Sequence, residues 1–389
     1  MHAIQFLHKL LSPVIHSSRV KALTEVVEAA ALSKRLTLTS LGRAINKPIY
    51  ERSGIQKVNR LLANEKLMDD YPNIAAAVSK LLIGHKRHPE IIVDWSKYPN
   101  SEDAILRSAL SIEGRALTLY EERHPVKKTG NREVQKVFLK HLKRILPDTC
   151  KPIVVTDAGF HNDWFKEVLK LDWHYVGRVR GMRRCAREGD RRFIWCSDLF
   201  KEASKEAVSL GKVILTKKNS FESHLYIVKK GLYGRKVRTK GGEIKKDKDS
   251  KNYGRSQREP WLLASSCMGA NAAQKVVNIY HRRMTIEEAF RDLKSNRYGL
   301  GLENSQTKQE KRRDIFLLIA MLTQLIAWLI GLVGEKQKRH YQFQSNSIKH
   351  RRVISLFYLG CQMIKRKIPI QISSIWDEIA AFQEEAAYE

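Results

Sequence analysis

The spacing of apolar positions divides the chain into a helical beginning, a strand-rich centre and a helical end. Through residues 1–88 apolar residues recur every three or four positions, which is typical of helices. Within this stretch, Leu38–Asn64 predicts two short helices separated by Pro48, with Lys57 and Arg60 on the outward side of the second. This arrangement fits a helix-turn-helix reader of a DNA major groove. It fits a plain helical bundle with a solvated basic face equally well.

Shorter apolar runs rich in β-branched residues begin at residue 90 and predict strands. The first is Glu90–Lys97, and the next two runs are separated by Glu113-Gly114, a typical hairpin turn. Pro152–Asp157, a helical Asn162–Leu171 and Trp173–Arg180 then predict a β-α-β unit. We therefore expect an α+β or α/β fold whose mixed sheet is flanked by helices, with antiparallel strands before the β-α-β unit.

Two longer apolar patterns follow in the C-terminal half. Asn271–Asn296 predicts one long helix, and Ile315–Gly334 is long and apolar enough to cross a membrane. The second segment contains Thr323 and Gln324, and strongly basic sequence flanks it on both sides. We therefore favour the buried centre of a large soluble core over a membrane span.

The strong excess of positive charge indicates a polyanionic partner. The chain carries 71 Lys and Arg against 41 Asp and Glu, a net charge of +30, and such self-repulsion stabilises no fold. Nucleic acid is the favoured polyanionic partner, and an anionic membrane surface is the alternative. Residues 178–258 alone hold 24 Lys and Arg against 9 Asp and Glu. We expect a basic, β-rich insertion there, in a protein that grips a long duplex at several places.

Cysteine and histidine usage excludes several kinds of site. The 5 cysteines form no CxxC pair and no signal-peptide pattern occurs, which predicts a reducing cytoplasm. The 13 histidines show neither HExxH nor zinc-finger spacing, and there is no Walker A loop. We therefore expect neither a zinc site nor nucleotide-driven work.

Two aspartates mark the ends of apolar strand runs: Asp94 in EIIVDWSK and Asp157 in PIVVTD. A strand buried on both faces has no structural use for a carboxylate at its tip unless something pairs with it. Each aspartate alone is more often a turn or helix cap. Together, on neighbouring strands of one sheet, they could place both side chains on one edge.

The predicted helix at 271–296 adds four polar residues at helical spacing. At about 100° per residue they fall within roughly 60° of one another: Tyr280, Arg283, Glu287 and Lys294. Such a stripe suits a surface that meets metal and phosphate better than it suits a core. A solvated polar face is the alternative, and a helix break near Met284 would weaken the argument for Tyr280.

These residues, in this order and spacing, resemble the bacterial insertion-sequence transposases of family four. The likeness rests on Tyr280-x2-Arg283-x3-Glu287-x6-Lys294, IVDWS around Asp94, TDAGF around Asp157 and EPWLLAS around Trp261. Taken together, the motifs extend over nearly the whole chain. Members of that family are cut-and-paste enzymes with an RNase H-like core and a DDE carboxylate triad.

The resemblance implies a role for each position. Asp94, Asp157 and Glu287 would be the catalytic carboxylates and the metal ligands. Trp261 would stack on a flipped base, although an ordinary core tryptophan is the alternative. The full set of candidate DNA contacts is Tyr280, Arg283, Lys294, Trp261, Arg291, Lys57 and Arg60.

The expected cofactor is a pair of Mg²⁺ ions, because a hard cation with oxygen ligands needs neither His nor Cys. Mn²⁺ is expected to substitute. Two such ions roughly 4 Å apart would serve the attacking and leaving oxygens of phosphodiester cleavage. The resemblance further implies a DNA hairpin intermediate, transposon inverted repeats and target DNA as partners, and a homodimer in the synaptic complex.

The same likeness predicts five parts: a helical DNA-binding domain at 1–88, catalytic core at 89–180 and 261–335, the basic insertion at 181–260 and a helical region at 336–389 that is suited to dimerisation. The expected location is the bacterial cytoplasm, at the nucleoid. Two other functions stay open, namely an RNase H-like nuclease without strand transfer and a catalytically silent DNA-binding regulator. The presence of all three carboxylates argues against the regulator.

Overall fold

A computed structural model of the chain describes residues 2–229, 243–247, 250, 254 and 259–385. They form two compact units, one from residues 1–150 and 284–389 and the other from residues 151–283. Both units combine helices with strands, so the expected mixed α+β fold is confirmed. The five-part division stays a prediction, and residues 230–242, 248–249, 251–253 and 255–258 of the predicted basic insertion lie outside the described residues.

Helices build the beginning of the first unit, as the apolar spacing predicted. They are α1 (His2–Leu11), α2 (Ser17–Ser33), α3 (Leu38–Arg43), α4 (Glu51–Leu62), α5 (Lys66–Asp69) and α6 (Tyr71–Ile83). Helices α3 and α4 cross with their backbones in contact. The contact is so close that a Cβ on Gly54 would lie only 2.3 Å from the Gly42 carbonyl oxygen. This crossing fits a helix-turn-helix, and a plain helical bundle can contain it too.

Strands β1 (Glu90–Lys97), β2 (Asp103–Ile112) and β3 (Arg115–Pro125) pair antiparallel in the first unit. The predicted hairpin turn lies between β2 and β3, where Gly114 has a φ of 66° that suits glycine. Helix α7 (Arg132–Ile145), which the apolar pattern did not single out, packs against α6 and β3.

The second unit begins with the predicted β-α-β arrangement. Strand β4 (Ile153–Thr156) is followed by helix α8 (Asn162–Lys170) and by β5 (His174–Val179), which runs parallel to β4. The remaining strands are β6 (Arg184–Arg187), β7 (Ile194–Trp195), β8 (Val208–Leu215), β9 (Phe221–Val228) and β10 (Trp261–Ser265). They extend the sheet antiparallel in the order β5-β10-β9-β8-β6-β7. Helix α9 (Ala272–Arg282) packs against this sheet.

The chain then returns to the first unit through α10 (Thr285–Lys294), α11 (Glu310–Lys336), α12 (Leu356–Lys365) and α13 (Ile372–Glu385). Helix α11 is long and apolar enough to cross a membrane, yet 94% of its most apolar window is buried inside the protein. Its two polar residues are satisfied there, since Thr323 Oγ1 donates to Ile319 O at 2.7 Å and Gln324 Nε2 donates to Ala289 O at 3.3 Å. The helix is therefore a core helix, as its polar residues predicted.

Candidate active site

Asp94 belongs to a row of charged residues across the sheet of the first unit. It lies opposite Arg107 of β2, which lies opposite Glu121 of β3, so the three side chains share one face of the sheet. Arg107 Nη2 and Glu121 Oε2 form an ion pair of 2.7 Å, and each side chain is only 1% exposed. The expectation that Asp94 ends its strand was wrong, because β1 pairs onward to Lys97.

Helix α10 packs on these three strands and carries Glu287. The Phe290 ring lies 4.5 Å from the Arg107 guanidinium carbon, so the helix covers the charged row. Glu287 is exposed. Lys294 Nζ donates to Ser96 Oγ at 2.7 Å and to Lys97 O at 2.5 Å, which ties the end of α10 to the strand that bears Asp94.

The Lys294 ammonium is poorly hydrated. Its pKa is lowered to about 8, because burial and the positive charge of Arg107 outweigh the opposing effects of Glu121 and Asp94. A buried cation with a lowered pKa is typical of functional sites rather than of stabilising ones. The charged Lys294 side chain therefore lowers the free energy of unfolding.

We expect Lys294→Met to raise the free energy of unfolding at pH 7 by about 1–3 kcal/mol, because it removes a charge that folding desolvates. The Lys294 pKa is depressed in the folded state, so its contribution to stability is present above pH 10.5 and is lost as the pH falls through about 8. The gain of the variant should therefore shrink between these two pH values. Chemical denaturation in chelator-containing buffer measures it, with the exposed Lys80→Met as the control. A variant less stable than the parent at pH 7 would contradict this assignment.

Asp157 directly follows β4 in the second unit, as predicted. Its Oδ1 accepts a hydrogen bond of 2.8 Å from the backbone N–H of Gly159 in the turn that leads to α8. A Cβ on Gly159 would lie 3.0 Å from that same oxygen, so glycine keeps the turn tight. The carboxylate thus has a turn-forming role, which was the alternative interpretation, and it remains partly exposed for another ligand.

Tyr280 connects several of the candidate DNA contacts in the second unit. Its ring is 4.8 Å from the Trp261 ring in an edge-on contact at 82°, and the Arg283 guanidinium carbon lies 5.9 Å from its centroid. Burial raises the Tyr280 pKa, Arg283 and Arg178 oppose the rise, and Asp157 adds to it. Trp261 is half-buried against Tyr280, so it is not a fully enclosed core residue.

Arg178 was not singled out from the sequence, although it interrupts the apolar run of β5. It is 9% exposed. Burial lowers the pKa of Arg178, and the positive charges of Arg180 and Arg283 lower it further, against Tyr280 and Glu259. Three arginines thus concentrate positive charge around Tyr280, which is the electrostatic character of a phosphate-binding surface.

The single helix expected at 271–296 is interrupted. Helix α9 ends at Arg282 and α10 begins at Thr285, with Met284 in the N-cap position and without a side-chain cap. Tyr280 and Glu287 therefore lie on two helices, and the angular argument that placed all four polar residues on one stripe was wrong. Their spacing along the sequence still matches the Tyr280-x2-Arg283-x3-Glu287-x6-Lys294 motif.

The remaining candidate DNA contacts have partners within the protein. Lys57 forms an ion pair with Glu25, so it does not face outward freely as expected. Arg291 pairs with Glu288 and lies 5.4 Å from the Tyr298 ring. Arg60 is exposed and lines, together with Lys57, Arg19 and other residues of α2 and α4, a cavity of about 420 Å³.

The donor chemistry suits a hard divalent cation, because the three candidate carboxylates are all at least partly exposed oxygen ligands. Across the described ranges, however, no group of three or more His, Cys, Asp or Glu side chains could hold a metal ion. The metal assignment therefore rests on the identity of the ligands, not on a formed cluster.

Comparison with known proteins identifies the family. The model of the Transposase DDE domain matches residues 124–324, which include Asp157 and Glu287 and exclude Asp94. No curated protein matches the chain. Among solved structures, the piggyBac transposase in a synaptic complex with hairpin DNA is similar, with a TM-score of 0.43 and 12% identity over 98% of this chain and 83% of that chain. Because the family match covers more than half of the residues, the chain belongs to the family of proteins with a transposase DDE domain.

Proposed function

We propose that the protein is a DNA transposase that excises its element by cut-and-paste transposition. The observation that carries the proposal is the family match, whose range contains Asp157, Glu287 and the whole Tyr280–Lys294 motif. The net charge of +30 supports DNA as the substrate. We further propose that it is one of the insertion-sequence transposases of family four, nearest to the transposase of insertion sequence ten, because its motifs resemble theirs.

The proposed catalytic carboxylates are Asp94, Asp157 and Glu287. DDE transposases generally use divalent metal ions. Two Mg²⁺ ions, or Mn²⁺ in their place, would be held by these carboxylates and would activate the attacking oxygen and stabilise the leaving 3′ oxygen. The carboxylates themselves contribute fixed negative charge, and Lys294 balances it near Asp94.

The reaction proposed for this site has four steps. Water first cleaves one strand at the end of the element and frees a 3′-OH. The 3′-OH then attacks the opposite strand, which forms a hairpin, and after the hairpin is reopened the 3′-OH attacks target DNA. Trp261 would offset part of the unstacking by accepting a displaced base on its half-buried ring.

The surrounding elements are proposed to bind and pair the DNA ends. Tyr280, Arg283 and Lys294 would neutralise and position phosphates, with Arg291 as a further contact. Helix α4, through Arg60 and the cavity beside it, would contact the terminal inverted repeat. Pairing of two ends calls for a homodimer, and we propose the helical region at 336–389 for it and the cytoplasmic nucleoid as the place of action.

A cleavage and joining assay tests the proposal. A labelled duplex that carries the DNA flanking the coding sequence is incubated with the protein and Mg²⁺, and the products are separated on a denaturing gel. We expect nicked, hairpin and joined species. Cleavage without joining would favour a nuclease, and DNA binding without either would favour a catalytically silent regulator, so each result overturns the transposase proposal in its own way.

A further inference from the structure

The buried Arg107–Glu121 pair is not explained by a contribution to folding stability alone. Desolvating two charges generally offsets most of what their attraction contributes, so a buried ion pair is weak evidence of a stabilising role. Both side chains are 1% exposed. Burial raises the pKa of Glu121, and the positive charge of Arg107 is the largest effect that opposes the rise.

Hydrogen bonds fix the position of Glu121 on β3. Tyr71 of α6 donates its hydroxyl to Glu121 O at 3.2 Å and accepts from Glu121 N at 2.9 Å. Glu121 in turn accepts from Arg107 Nε at 2.8 Å. The guanidinium therefore has a fixed position relative to the sheet.

On its other sides the guanidinium meets the elements that carry two of the proposed catalytic carboxylates. Asp94 is its cross-strand neighbour on β1. Phe290 of α10 covers it at 4.5 Å, and Glu287 and Lys294 lie three residues before and four residues after Phe290, on the same side of the helix. Arg107 Nη1 is buried and has no hydrogen-bond acceptor among the described residues, so one donor is left unused by Glu121.

We propose that Arg107 is a positioning residue for the active site: held by Glu121, its guanidinium sets how helix α10 seats on strand β1, and thereby places Glu287 and Asp94 for metal binding. This inference rests on the proposed function for the identity of the two carboxylates. A guanidinium over an aromatic ring fixes the distance between the strand and the helix that carry them. An aliphatic side chain or the ammonium of lysine does not reproduce that distance.

The test compares variants of Arg107, Glu121 and Phe290 with a variant of an arginine that does not contact them. Arg107→Lys keeps the charge but loses the planar contact, and Arg107→Met/Glu121→Met removes both buried charges together. Arg123→Met is the control, because Arg123 lies two residues from Glu121 on β3, is 8% exposed and pairs with Asp103 and Asp314 instead. Phe290→Leu removes the ring and leaves the ion pair intact.

Two measurements separate positioning from folding. Electron paramagnetic resonance of Mn²⁺ gives the affinity for the metal without any reaction, and single-turnover cleavage at saturating metal gives the rate. We expect both Arg107 variants to weaken Mn²⁺ binding and to slow cleavage, each at least about tenfold, with Phe290→Leu shifted in the same direction and duplex affinity unchanged. Arg123→Met should leave Mn²⁺ affinity at the parental value.

Parental Mn²⁺ affinity in folded Arg107→Lys and in the folded double variant would overturn the inference, even if either variant were less stable. Equal shifts in Arg123→Met would also overturn it, because the effect would then follow any buried ion pair of the hairpin. If the parent protein binds Mn²⁺ but joins no DNA, the transposase proposal fails, and the Mn²⁺ affinities still decide whether Arg107 positions the carboxylates.

Discussion

Asp157→Asn and Glu287→Gln are each expected to lower DNA strand cleavage by about a thousandfold or more. Each change removes one negative charge and one anionic oxygen donor while the shape of the side chain stays nearly the same. Metal-assisted stabilisation of a developing alkoxide contributes several kcal/mol to a transition state, and each 1.4 kcal/mol corresponds to about tenfold in rate. Single-turnover cleavage of an end duplex, followed on a denaturing gel, measures the loss.

Asp172→Asn is the matched control for the aspartate. Asp172 lies in the same unit, its side chain is 79% exposed, and it pairs with Lys151. Its φ of 60° is one that asparagine tolerates, so the backbone should be undisturbed. Both active-site variants should bind the end duplex as the parent does. Unchanged cleavage in Asp157→Asn would remove this residue from the catalytic assignment, whatever the control shows.

Arg107→Met alone is expected to lower the free energy of unfolding by about 3–5 kcal/mol, whereas Arg107→Met/Glu121→Met should lie near the parent or above it. The single change leaves the Glu121 carboxylate buried without its ion-pair partner. Replacing both charges by apolar side chains of similar length removes the desolvation penalty together with the attraction. Denaturant unfolding of the full chain in metal-free buffer measures both variants.

The dependence on pH identifies the cause. In the single variant the raised pKa of Glu121 should rise further, so the carboxyl group is neutral in the folded protein at low pH. A group with a raised folded-state pKa contributes its stability at low pH and loses it as the pH rises through that pKa. The deficit of Arg107→Met should therefore be smaller at pH 5 than at pH 8. Equal losses in the single and double variants at both pH values would show that packing, not the unpaired charge, is responsible.

Local patterns in the sequence determined most of the secondary structure, and they did so for a simple reason. The periodicity that distinguishes a strand from a helix is set by residues a few positions apart, so β1 and the β4–α8–β5 unit were predicted closely. Gln324 correctly marked α11 as a core helix, because its side chain donates to Ala289 O of another helix. Thr323 does not discriminate, since its hydroxyl donates to Ile319 O of its own helix and would be satisfied in lipid as well. Within the helical region predicted at 336–389, α12 begins only at Leu356, where the Ser355 side chain caps it by accepting from Tyr358 N at 3.1 Å.

The sequence predicted one helix over 271–296 and allowed a break near Met284 only as an alternative. Arg283 and Met284 both have αR backbone angles, so no glycine, proline or left-handed residue marks the break. The amphipathic patterns on either side are each regular, so they do not show where the first helix ends. For this reason the spacing of Tyr280, Arg283, Glu287 and Lys294 identified the family motif but did not describe one helical face.

By itself, the sequence determined which residues can do chemistry: the three carboxylates, the basic and aromatic residues around them, and the charge that favours DNA. Only the tertiary structure placed Arg107 between Asp94, Glu121 and Phe290, because these contacts depend on strand register and on the seating of a helix nearly two hundred residues away in the chain. In the sequence, Arg107 is one arginine in an apolar run. Its significance comes from being buried, and burial is decided by the whole fold and not by neighbouring residues.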